Sequence, residues 1–422
     1  MDRLFVTGGA RLEGSVRISG AKNSALKLMV ASLLAPGTSV VRNVPRIRDC
    51  AVMVEMLEHF GLRVRLDGGV AELDARDVHD VEAPDALVRQ MRASIVVLGP
   101  LLARCGRARV SMPGGDEIGA RPVDLHVRGL ERMGAEIRSE HGFLVAEAPQ
   151  LRGASITLDY PSVTATENLL MAAVLAKGTT VIDNAAREPE TADLASYLVS
   201  MGARIDGAGS STIEIQGVDQ LQAAEHTAVA DRIEAGTWAA AAVATQGDVT
   251  ITNARPEHLE LFLAKLGDAG ADVSMSDAGL RIRQERRSHA VDFVTLPYPG
   301  IATDFQPILL AMLATADGTA IVTENVFEGR FLYVGELVRM GADIRTEGHH
   351  AVIRGVPRLS AAPVRALDIR AGVALVIAAL GAEGQTEIAD MQHVDRGYED
   401  FEVKLEALGA EVRRERELVT LP

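Results

Sequence analysis

The sequence predicts an α/β fold of two similar lobes, each built from three βαβαββ repeats whose first helices lie inside. Three observations predict it. Glycines that end a helix before a strand recur with a period of roughly 70 residues: Gly61, Gly134, Gly202, Gly270, Gly341 and Gly409. A second series of glycines has the same period, and each of them precedes a short strand rich in β-branched residues: Gly37, Gly106, Gly178, Gly247, Gly318 and Gly384. Each repeat also contains one helix that is apolar on nearly every side.

Each repeat is predicted to run through its elements in the same order. An extended segment such as SVRISG or SITLDY comes first. A short helix, a glycine turn and a strand follow, then a second helix, the terminal glycine and one or two more strands. Glycine suits the helix end because it adopts the left-handed conformation without a Cβ clash.

The two helices of a repeat differ in pattern. The second is amphipathic, as in DCAVMVEMLEHFG, and is predicted to pack on a surface. The first, as in GVALVIAALGAEG, is apolar all round and must be buried. At about 10 to 13 residues these apolar runs are too short to span a bilayer. The sequence therefore predicts six helices inside the protein, and no membrane partner.

Composition narrows the class of protein. The chain has 422 residues, an apolar fraction of 47% and a net charge of −15. This net charge argues against nucleic acid as a partner, because a phosphate backbone needs a basic face on the protein. Cys50 and Cys105 are too few for a disulfide framework, and no secretory signal pattern occurs, so we expect a cytoplasmic location. No CxxC, HxxxH or HExxH motif occurs, and neither a metal nor another cofactor is expected.

Polar residues recur where the inner helices are predicted to begin. They are Lys22, Asn23, Arg92, the segment from Ser162 to Asn168, Asp231, Arg232, Asp304, Asp368 and Arg370. A cation at a helix N-terminus is unfavourable by a few tenths to ~1 kcal/mol. A bound anion would explain why four of the six starts carry one. Two alternatives stay open: the three aspartates are plain N-caps, and the cations pair with nearby carboxylates.

The second repeat is longer than the others between its two glycines, Gly106 and Gly134. The surplus lies at residues 112–126, where Gly114, Gly115 and Gly119 accompany Asp116, Glu117 and Arg121. A flexible insertion with charged residues is typical of a lid over a polar site, and a surface turn is the alternative.

Five segments together resemble one family. They are PGGDEIGARPVDLH (113–126), AKNS (21–24), NAAREPE (184–190), TENVFEGRF (323–331) and VDRGYE (394–399). Over essentially the whole chain the sequence is similar to the UDP-N-acetylglucosamine 1-carboxyvinyltransferases, a branch of the enolpyruvyl transferases. The resemblance implies the enolpyruvyl transferase fold: two inside-out α/β domains of three repeats each, with the active site between them. It also implies that the first 20 or so residues complete the second domain. The expected domains are 22–229, with the lid loop 112–121, and 1–21 with 230–422.

The resemblance implies a reaction between two small molecules. The enolpyruvyl group of phosphoenolpyruvate moves to the 3′-hydroxyl of UDP-N-acetylglucosamine and phosphate is released, which commits the sugar to bacterial cell-wall synthesis. By resemblance, Lys22, Arg121 and Arg396 hold the phosphate of phosphoenolpyruvate, and Arg370 lies near its carboxylate. Asp304 takes the proton of the 3′-hydroxyl, and Asp368 relays a proton during elimination.

The remaining implied roles concern the nucleotide sugar. Asn23, Asp304 and Val326 line the sugar, and Arg92 belongs to the same site. The uracil is held by Arg121, Pro122, Val123, Asp124 and Leu125. The turn at Ser162 and Val163 meets the diphosphate.

The implied catalytic acid is Asp116. Most members of the family carry Cys at this position, and the mycobacterial type carries Asp. An aspartate must be protonated to act as an acid, so we expect its pKa to be raised by desolvation. The epoxide fosfomycin alkylates the family's Cys, and a carboxylate is a weaker nucleophile, so resistance is expected.

Three positions depart from the family pattern. Thr164 stands where the family has Gly, Tyr160 where it has Lys, and Ala302 where it has Pro. These leave open enolpyruvyl transfer to another uridine nucleotide. A second alternative is the shikimate branch of the same fold, and a third is a non-catalytic sensor of UDP-N-acetylglucosamine. RPVDLH speaks against the shikimate branch, and the retained charged residues speak against a sensor.

Overall fold

A computed structural model of the protein describes residues 2–113 and 122–416. These residues form two compact units. The N-terminal unit comprises residues 20–113 and 122–229, and the C-terminal unit comprises residues 2–19 and 230–416. Each unit has a hydrophobic core of its own.

The α-helices of the described residues are Lys22–Ala31 (α1), Arg48–His59 (α2), Asp85–Val88 (α3), Leu98–Cys105 (α4), Asp124–Arg132 (α5), Val163–Ala173 (α6), Pro189–Ser200 (α7), Arg232–Ala244 (α8), Glu260–Asp268 (α9), Gln306–Leu313 (α10), Val334–Arg339 (α11), Ile369–Leu380 (α12) and Phe401–Ala407 (α13). Short 3₁₀ turns lie at Ser32–Leu34, Arg92–Val97, Pro256–His258, Thr303–Phe305 and Met391–Arg396.

The first thirteen strands are Asp2–Thr7 (β1), Glu13–Arg17 (β2), Thr38–Arg42 (β3), Arg63–Asp67 (β4), Val70–Asp74 (β5), Glu82–Ala83 (β6), Arg107–Ser111 (β7), Glu136–Glu140 (β8), Phe143–Glu147 (β9), Ser155–Thr157 (β10), Thr179–Asp183 (β11), Arg204–Asp206 (β12) and Thr212–Gln216 (β13). The others are Glu225–Thr227 (β14), Asp248–Thr252 (β15), Asp272–Ser276 (β16), Gly279–Arg283 (β17), Phe293–Val294 (β18), Thr319–Thr323 (β19), Asp343–Glu347 (β20), His350–Arg354 (β21), Leu359–Ser360 (β22), Pro363–Arg365 (β23), Ala382–Glu383 (β24), Gln385–Ala389 (β25) and Glu411–Arg416 (β26).

The four-stranded sheets all share one pattern. The first strand runs parallel to the second, the second is antiparallel to the third, and the third is antiparallel to the fourth. In the N-terminal unit the orders are β14-β3-β5-β4, β6-β7-β9-β8 and β10-β11-β13-β12. In the C-terminal unit they are β2-β15-β17-β16, β18-β19-β21-β20 and β23-β25-β1-β26. The repeat predicted from the glycine spacing is therefore a sheet and two helices.

One expectation about the repeats is wrong. The segment SVRISG was expected to open the first repeat, but its strand β2 pairs with β15 of the fourth repeat, in register from Glu13↔Asp248 to Arg17↔Thr252. The place in the first sheet is taken by β14, which pairs with β3. The last sheet is completed by β1, which pairs with both β25 and β26. Parallel partners are set by tertiary packing, because a strand's own residues do not specify its neighbour.

The six inner helices are buried as predicted. All residues of α12 are buried, as are those of α10. In α8 a Cβ on Gly236 would lie 2.4 Å from the ring of Phe305, so only glycine fits there. The second helices bury one face; α2, for example, exposes Glu55 and Glu58 while Met53 and Met56 are inside. The predicted fold class, two α/β domains with helices inside, is confirmed.

The glycines that end the second helices adopt the left-handed conformation in all six repeats, with φ between 91° and 104°. Five glycines of the second series also have positive φ, and Gly247 does not. A Cβ on Gly247 would lie 2.3 Å from the carbonyl oxygen of Leu12, so close approach of two backbones requires glycine there. Within the described ranges, we find no helix with the length and apolar character needed to cross a membrane.

Candidate active site

Helix α1 begins with a lysine, and no side chain caps its N-terminus. Lys22 is its first residue, and Ala21 before it offers no side-chain cap. The ammonium of Lys22 lies 2.6 Å from Oδ2 of Asp49, in the first turn of α2, and both side chains are largely buried. Asn23 follows Lys22 and is partly exposed. The alternative that a helix-start cation pairs with a nearby carboxylate therefore holds for Lys22.

A buried charge pair, which the sequence patterns did not reveal, lies one turn further along α1. The ammonium of Lys27 is 3.3 Å from Oε2 of Glu167 in α6, with both side chains buried. Burial raises the pKa of Glu167 to about 7, and the nearby carboxylates Glu188 and Glu190 act in the same direction, against the charge of Lys27. The sequence shows a charged residue within each of the two apolar helices, Lys27 in α1 and Glu167 in α6. It does not show that these two residues pair with each other.

The start of α6 carries the polar residues expected to meet a diphosphate. The hydroxyl of Ser162 caps the helix by accepting a hydrogen bond from Ala165 N at 3.4 Å. Val163 begins the helix, and Thr164 follows within hydrogen-bond distance of the His126 ring, 3.2 Å from its Nε2. Arg92 begins the 3₁₀ turn Arg92–Val97, and its charge acts on the ring of His126. Arg92, His126 and α6 are thus neighbours in the N-terminal unit.

The segment expected to hold a uracil is only partly a loop. Pro122 is exposed and Val123 buried, and Asp124 and Leu125 already belong to the first turn of α5. Residues 124–126 of the segment expected to form a loop, 112–126, are therefore helical. Asp124 is hydrogen-bonded to Arg128, whose guanidinium also donates to Asp159 at 2.8 Å. The expected lid residues Asp116 and Arg121 lie outside the described residues, as does Glu117.

Two aspartates of the C-terminal unit are N-caps. Asp231 Oδ1 accepts from the backbone N–H groups of Ile233 and Glu234, at 2.8 and 3.1 Å. Asp368 Oδ1 accepts from those of Arg370 and Ala371, at 2.7 and 2.9 Å. Both aspartates therefore cap a helix, as the capping alternative expects.

Asp304 makes a different set of contacts. It lies in the 3₁₀ turn Thr303–Phe305, and its carboxylate accepts from two arginines. Arg330 Nη2 lies 3.2 Å from Oδ1, and Arg370 Nε lies 3.1 Å from Oδ2. Both guanidiniums are almost fully buried, at 3% and 7% side-chain exposure, whereas Asp304 keeps 28%. The two buried guanidiniums fix the position of a carboxylate that is still partly accessible, so a hydroxyl could reach it and give up its proton there.

Arg370 is itself held in place. Its Nη1 donates to the hydroxyl of Tyr398 at 2.9 Å, and that hydroxyl lies 2.8 Å from Thr237 Oγ1. Tyr398 and Thr237 are buried, so the guanidinium of Arg370 has few alternative positions. Burial raises the pKa of Tyr398, and the charge of Arg370 opposes that shift.

Val326 is positioned by a buried glutamate. Glu324 Oε1 accepts from the backbone N–H groups of Val326 and Phe327, at 2.8 and 3.1 Å. Its other oxygen accepts from Thr303 Oγ1 at 2.9 Å, and Thr303 precedes Asp304. Glu324 thus ties the turn that bears Val326 to the turn that bears Asp304. The role of Glu324 was missed, although its motif was recognised.

Arg396 ends the 3₁₀ turn Met391–Arg396 and is partly exposed. Its neighbour Asp395 accepts two hydrogen bonds from Arg414, at 2.6 and 2.7 Å. Arg414, in β26, also pairs with Glu402 of α13 and Asp2 of β1. This arginine therefore anchors the turn of Arg396 to three other elements. Its role was missed at the level of sequence.

Comparison with known proteins identifies the family. A family model described as EPSP synthase (3-phosphoshikimate 1-carboxyvinyltransferase) matches residues 6–405. The UDP-N-acetylglucosamine 1-carboxyvinyltransferase of Corynebacterium jeikeium is 54% identical over 413 residues, 98% of this chain and 99% of the relative. The enzyme of the same name from Mycobacterium tuberculosis is also 54% identical, with the same coverage. That of Geobacter metallireducens is 50% identical over 417 residues, 99% of this chain and 100% of the relative.

Solved structures agree in fold. The enolpyruvyl transferase NikO from Streptomyces tendae superposes with a TM-score of 0.88 at 28% identity, covering 98% of this chain and 99% of NikO. EPSP synthase from Acinetobacter baumannii has a TM-score of 0.75 at 19% identity, covering 99% of this chain and 100% of that chain, and supports the fold alone. Because the family model spans most of the chain and relatives at 50–54% identity cover nearly all of it, the protein belongs to the enolpyruvyl transferase family.

Proposed function

We propose that this chain transfers the enolpyruvyl group of phosphoenolpyruvate to the 3′-hydroxyl of UDP-N-acetylglucosamine and releases phosphate. The observation that carries the proposal is the identity of 50–54% with proteins named for this activity, across nearly the full length of both chains. The contacts around Asp304 support it, because the reaction needs a base beside fixed cations. The low cysteine count supports a reducing compartment such as the cytoplasm.

The proposed reaction has two steps. In the addition, the sugar 3′-oxygen bonds to C2 of the enolpyruvyl group and gives its proton to a base, while C3 gains a proton from an acid. In the elimination, C3 loses a proton, the bond between C2 and the phosphate oxygen breaks, and phosphate leaves. The positive character that develops at C2 lies beside the substrate's own phosphate and carboxylate. Fixed cations are needed to hold those two anions in place.

In the C-terminal unit, Asp304 is the base for the 3′-hydroxyl. The guanidiniums of Arg330 and Arg370 fix the position and orientation of its carboxylate. Arg370 serves the carboxylate of phosphoenolpyruvate, and Arg396 its phosphate, since a planar guanidinium binds oxyanions in pairs. Asp368, an N-cap in the structure, is assigned the proton relay of the elimination. Val326 lines the sugar through the turn that Glu324 holds.

In the N-terminal unit, Lys22 is the cation for the phosphate and Asn23 contacts the sugar. Arg92 serves the nucleotide sugar, and the helix start at Ser162 and Val163 serves its diphosphate, as an exposed helix N-terminus suits an anion. The uracil contacts are assigned to residues 122–125. Asp116 as the acid and Arg121 as a further phosphate ligand complete the assignment, from the sequence.

One assay tests the proposal. Purified protein is incubated with phosphoenolpyruvate and UDP-N-acetylglucosamine, and released phosphate is measured. Parallel reactions use UMP or shikimate 3-phosphate as acceptor. Release with UDP-N-acetylglucosamine and not with the others is the expected result.

Each other outcome selects a different function. The departures at Tyr160, Thr164 and Ala302 favour another uridine nucleotide as the second candidate, and release with UMP would select it. Release with shikimate 3-phosphate would select the shikimate branch. Binding of UDP-N-acetylglucosamine without release from any acceptor would identify a sensor.

A further inference from the structure

The amide of Asn168 in α6 has a fixed orientation. Its Oδ1 accepts a hydrogen bond from the backbone N–H of Gly99 at 2.6 Å. Its Nδ2 donates to the carbonyl of Ile95 at 3.3 Å. A backbone N–H can only donate and a carbonyl can only accept, so exchanging the two ends of the amide would break both hydrogen bonds.

The Asn168 amide determines which nitrogen of His126 carries the proton. Asn168 Nδ2 lies 2.9 Å from His126 Nδ1, so Nδ1 must accept. The ring is 2% exposed, and burial lowers its pKa to about 4, helped by the charge of Arg92 and opposed by Asp124. At neutral pH the imidazole is therefore uncharged, with its single proton on Nε2.

The proton on His126 Nε2 determines how the hydroxyl of Thr164 forms hydrogen bonds. His126 Nε2 lies 3.2 Å from Thr164 Oγ1, and it donates to that oxygen. A threonine hydroxyl has one proton to give and two lone pairs. With one lone pair occupied by His126, the hydroxyl proton is directed to another acceptor. Thr164 is the second residue of α6 and is partly exposed, beside N–H groups that have no partner within the helix.

We propose that the Thr164 hydroxyl donates a hydrogen bond to the diphosphate of the nucleotide sugar, and that His126 is the positioning residue that aims it. The proposal deepens the proposed function and rests on it. Thr164 stands at the helix start assigned to the diphosphate, and Tyr160 stands where the family carries a lysine. This assigns a specificity-determining residue that distinguishes phosphorylated uridines from uridine itself.

Paired substitutions at Thr164 test the proposal. Thr164→Val keeps the shape and removes the hydroxyl, Thr164→Ala leaves room for a water at His126 Nε2, and Thr164→Ser keeps a hydroxyl. Affinity for UDP-N-acetylglucosamine and for uridine is measured by titration calorimetry. Because a hydrogen bond to a charged group is lost, the Val and Ala variants are expected to bind the nucleotide sugar at least about tenfold more weakly. Ser should stay within about threefold, and uridine binding should not change.

A second pair of variants tests the role of His126. A glutamine side chain at this position can accept from Asn168 and donate to Thr164, so His126→Gln should retain nucleotide-sugar binding within about threefold. His126→Leu should lose about as much as Thr164→Val, in KM for UDP-N-acetylglucosamine and not in kcat. The double variant that combines His126→Leu with Thr164→Val should lose no more than either single variant.

The outcomes separate the two proposals. Equal affinity of wild type, Thr164→Val and Thr164→Ala for UDP-N-acetylglucosamine overturns the role of Thr164 and leaves the proposed function intact. Loss of uridine binding to the same extent also overturns it, because the effect would then not depend on phosphate. A wild-type protein that binds no UDP-N-acetylglucosamine overturns the proposed function itself.

Discussion

The guanidinium of Arg330 lies 3.2 Å from the carboxylate of Asp304, measured from Nη2 to Oδ1, and only 3% of the Arg330 side chain is exposed. The Arg370 side chain reaches the other carboxylate oxygen of Asp304 at 3.1 Å. The two arginines approach different oxygens, so together they define both the position and the orientation of the carboxylate. A base that must meet a hydroxyl at hydrogen-bond distance depends on such orientation.

Replacement of Arg330 by Gln should therefore lower kcat/KM for phosphate release by about ten- to hundredfold, because a general base contributes on the order of 10² to 10⁴ and would be mispositioned. Steady-state assays measure the effect. Arg339→Gln is the matched control: its side chain is 64% exposed and its contact to Glu336 spans 3.5 Å. The control should stay within about twofold of wild type. Equal rates for the two variants would contradict a role for Arg330.

The buried pair of Lys22 and Asp49 predicts a large loss of stability. Asp49→Asn leaves the ammonium of Lys22, which is 10% exposed, without its carboxylate at 2.6 Å. Removing one member of a buried pair costs about 3 kcal/mol or more, so the free energy of unfolding should fall by that amount. Urea denaturation measures it.

Asp85→Asn is the matched control for Asp49→Asn, because both aspartates lie in the first turn of a helix. The Asp85 side chain is 41% exposed and pairs at 2.7 Å with an exposed Arg89. An exposed pair of this kind contributes less than about 1 kcal/mol. If both substitutions cost the same, the buried pair does not stabilise the unit as argued.

The raised pKa of Glu167 predicts a stability that declines as pH rises. Burial raises the pKa of this carboxyl from 4.5 to about 7 in the folded protein. Between these values the folded state holds a proton that the unfolded state has released, so each step up in pH favours unfolding. The effect ends above the folded pKa and amounts to about 3 kcal/mol in total.

Comparison with Glu167→Gln isolates this contribution. The difference in unfolding free energy, wild type minus variant, should fall between pH 4.5 and pH 7 and then level off. Denaturant titrations at half-unit intervals of pH provide the measurement. A difference that is constant over this range, or that rises, would show that Glu167 is not protonated in the folded protein near pH 6.

Features that depend on a few neighbouring residues could be predicted from the sequence patterns, and features that depend on distant residues could not. The helix-ending glycines and the apolar inner helices were predicted because a left-handed residue and an apolar helix surface are properties of a few neighbouring residues. The exchange of β2 and β14 was not evident from the residue patterns, since each strand would fit either parallel edge, and only the family resemblance placed the first 20 or so residues in the second domain. The β1 strand likewise completes a sheet whose other members lie at the far end of the chain.

The residues of the candidate site also divide into those that the sequence could identify and those that it could not. Lys22, Arg370 and Asp304 were assigned from their motifs and from their place at helix starts. Glu324 and Arg330 lie in the recognised motif TENVFEGRF, but their roles, like that of Arg414, depend on contacts with distant residues that no motif specifies. The capping roles of Asp231 and Asp368 were left open in the sequence because an N-cap and a site aspartate at a helix start have the same pattern.

The lowered pKa of His126 predicts a pH dependence of stability that is opposite to the one predicted for Glu167. Its pKa is lowered from 6.5 to about 4, chiefly by burial. Between these values the unfolded state binds a proton that the folded state does not, so stability should fall as pH decreases from 6.5 to 4. The contribution is about 3 kcal/mol and should be absent from His126→Gln.

A spectroscopic measurement checks the same assignment. In ¹⁵N-labelled protein at pH 6, the ring of His126 should show a protonated Nε2 and an unprotonated Nδ1, since Nδ1 accepts from Asn168 at 2.9 Å. A doubly protonated ring at that pH would contradict both the pKa and the proton position.

The residue at position 116 predicts a difference in reactivity toward an epoxide. Asp116 lies outside the described residues, and its role as the acid is inferred from the family resemblance. A thiolate is a far better nucleophile than a carboxylate, so wild-type protein should not be alkylated by fosfomycin, whereas Asp116→Cys should be inactivated and gain the mass of one adduct. Asp116→Ser is the control and should remain unlabelled.

The native thiols should not interfere, because Cys50 is buried and burial raises the pKa of the Cys105 thiol. Peptide mapping by mass spectrometry locates the adduct. Labelling of Asp116 in the wild type would overturn the expected resistance, and an unlabelled Asp116→Cys would remove position 116 from the proposed active site.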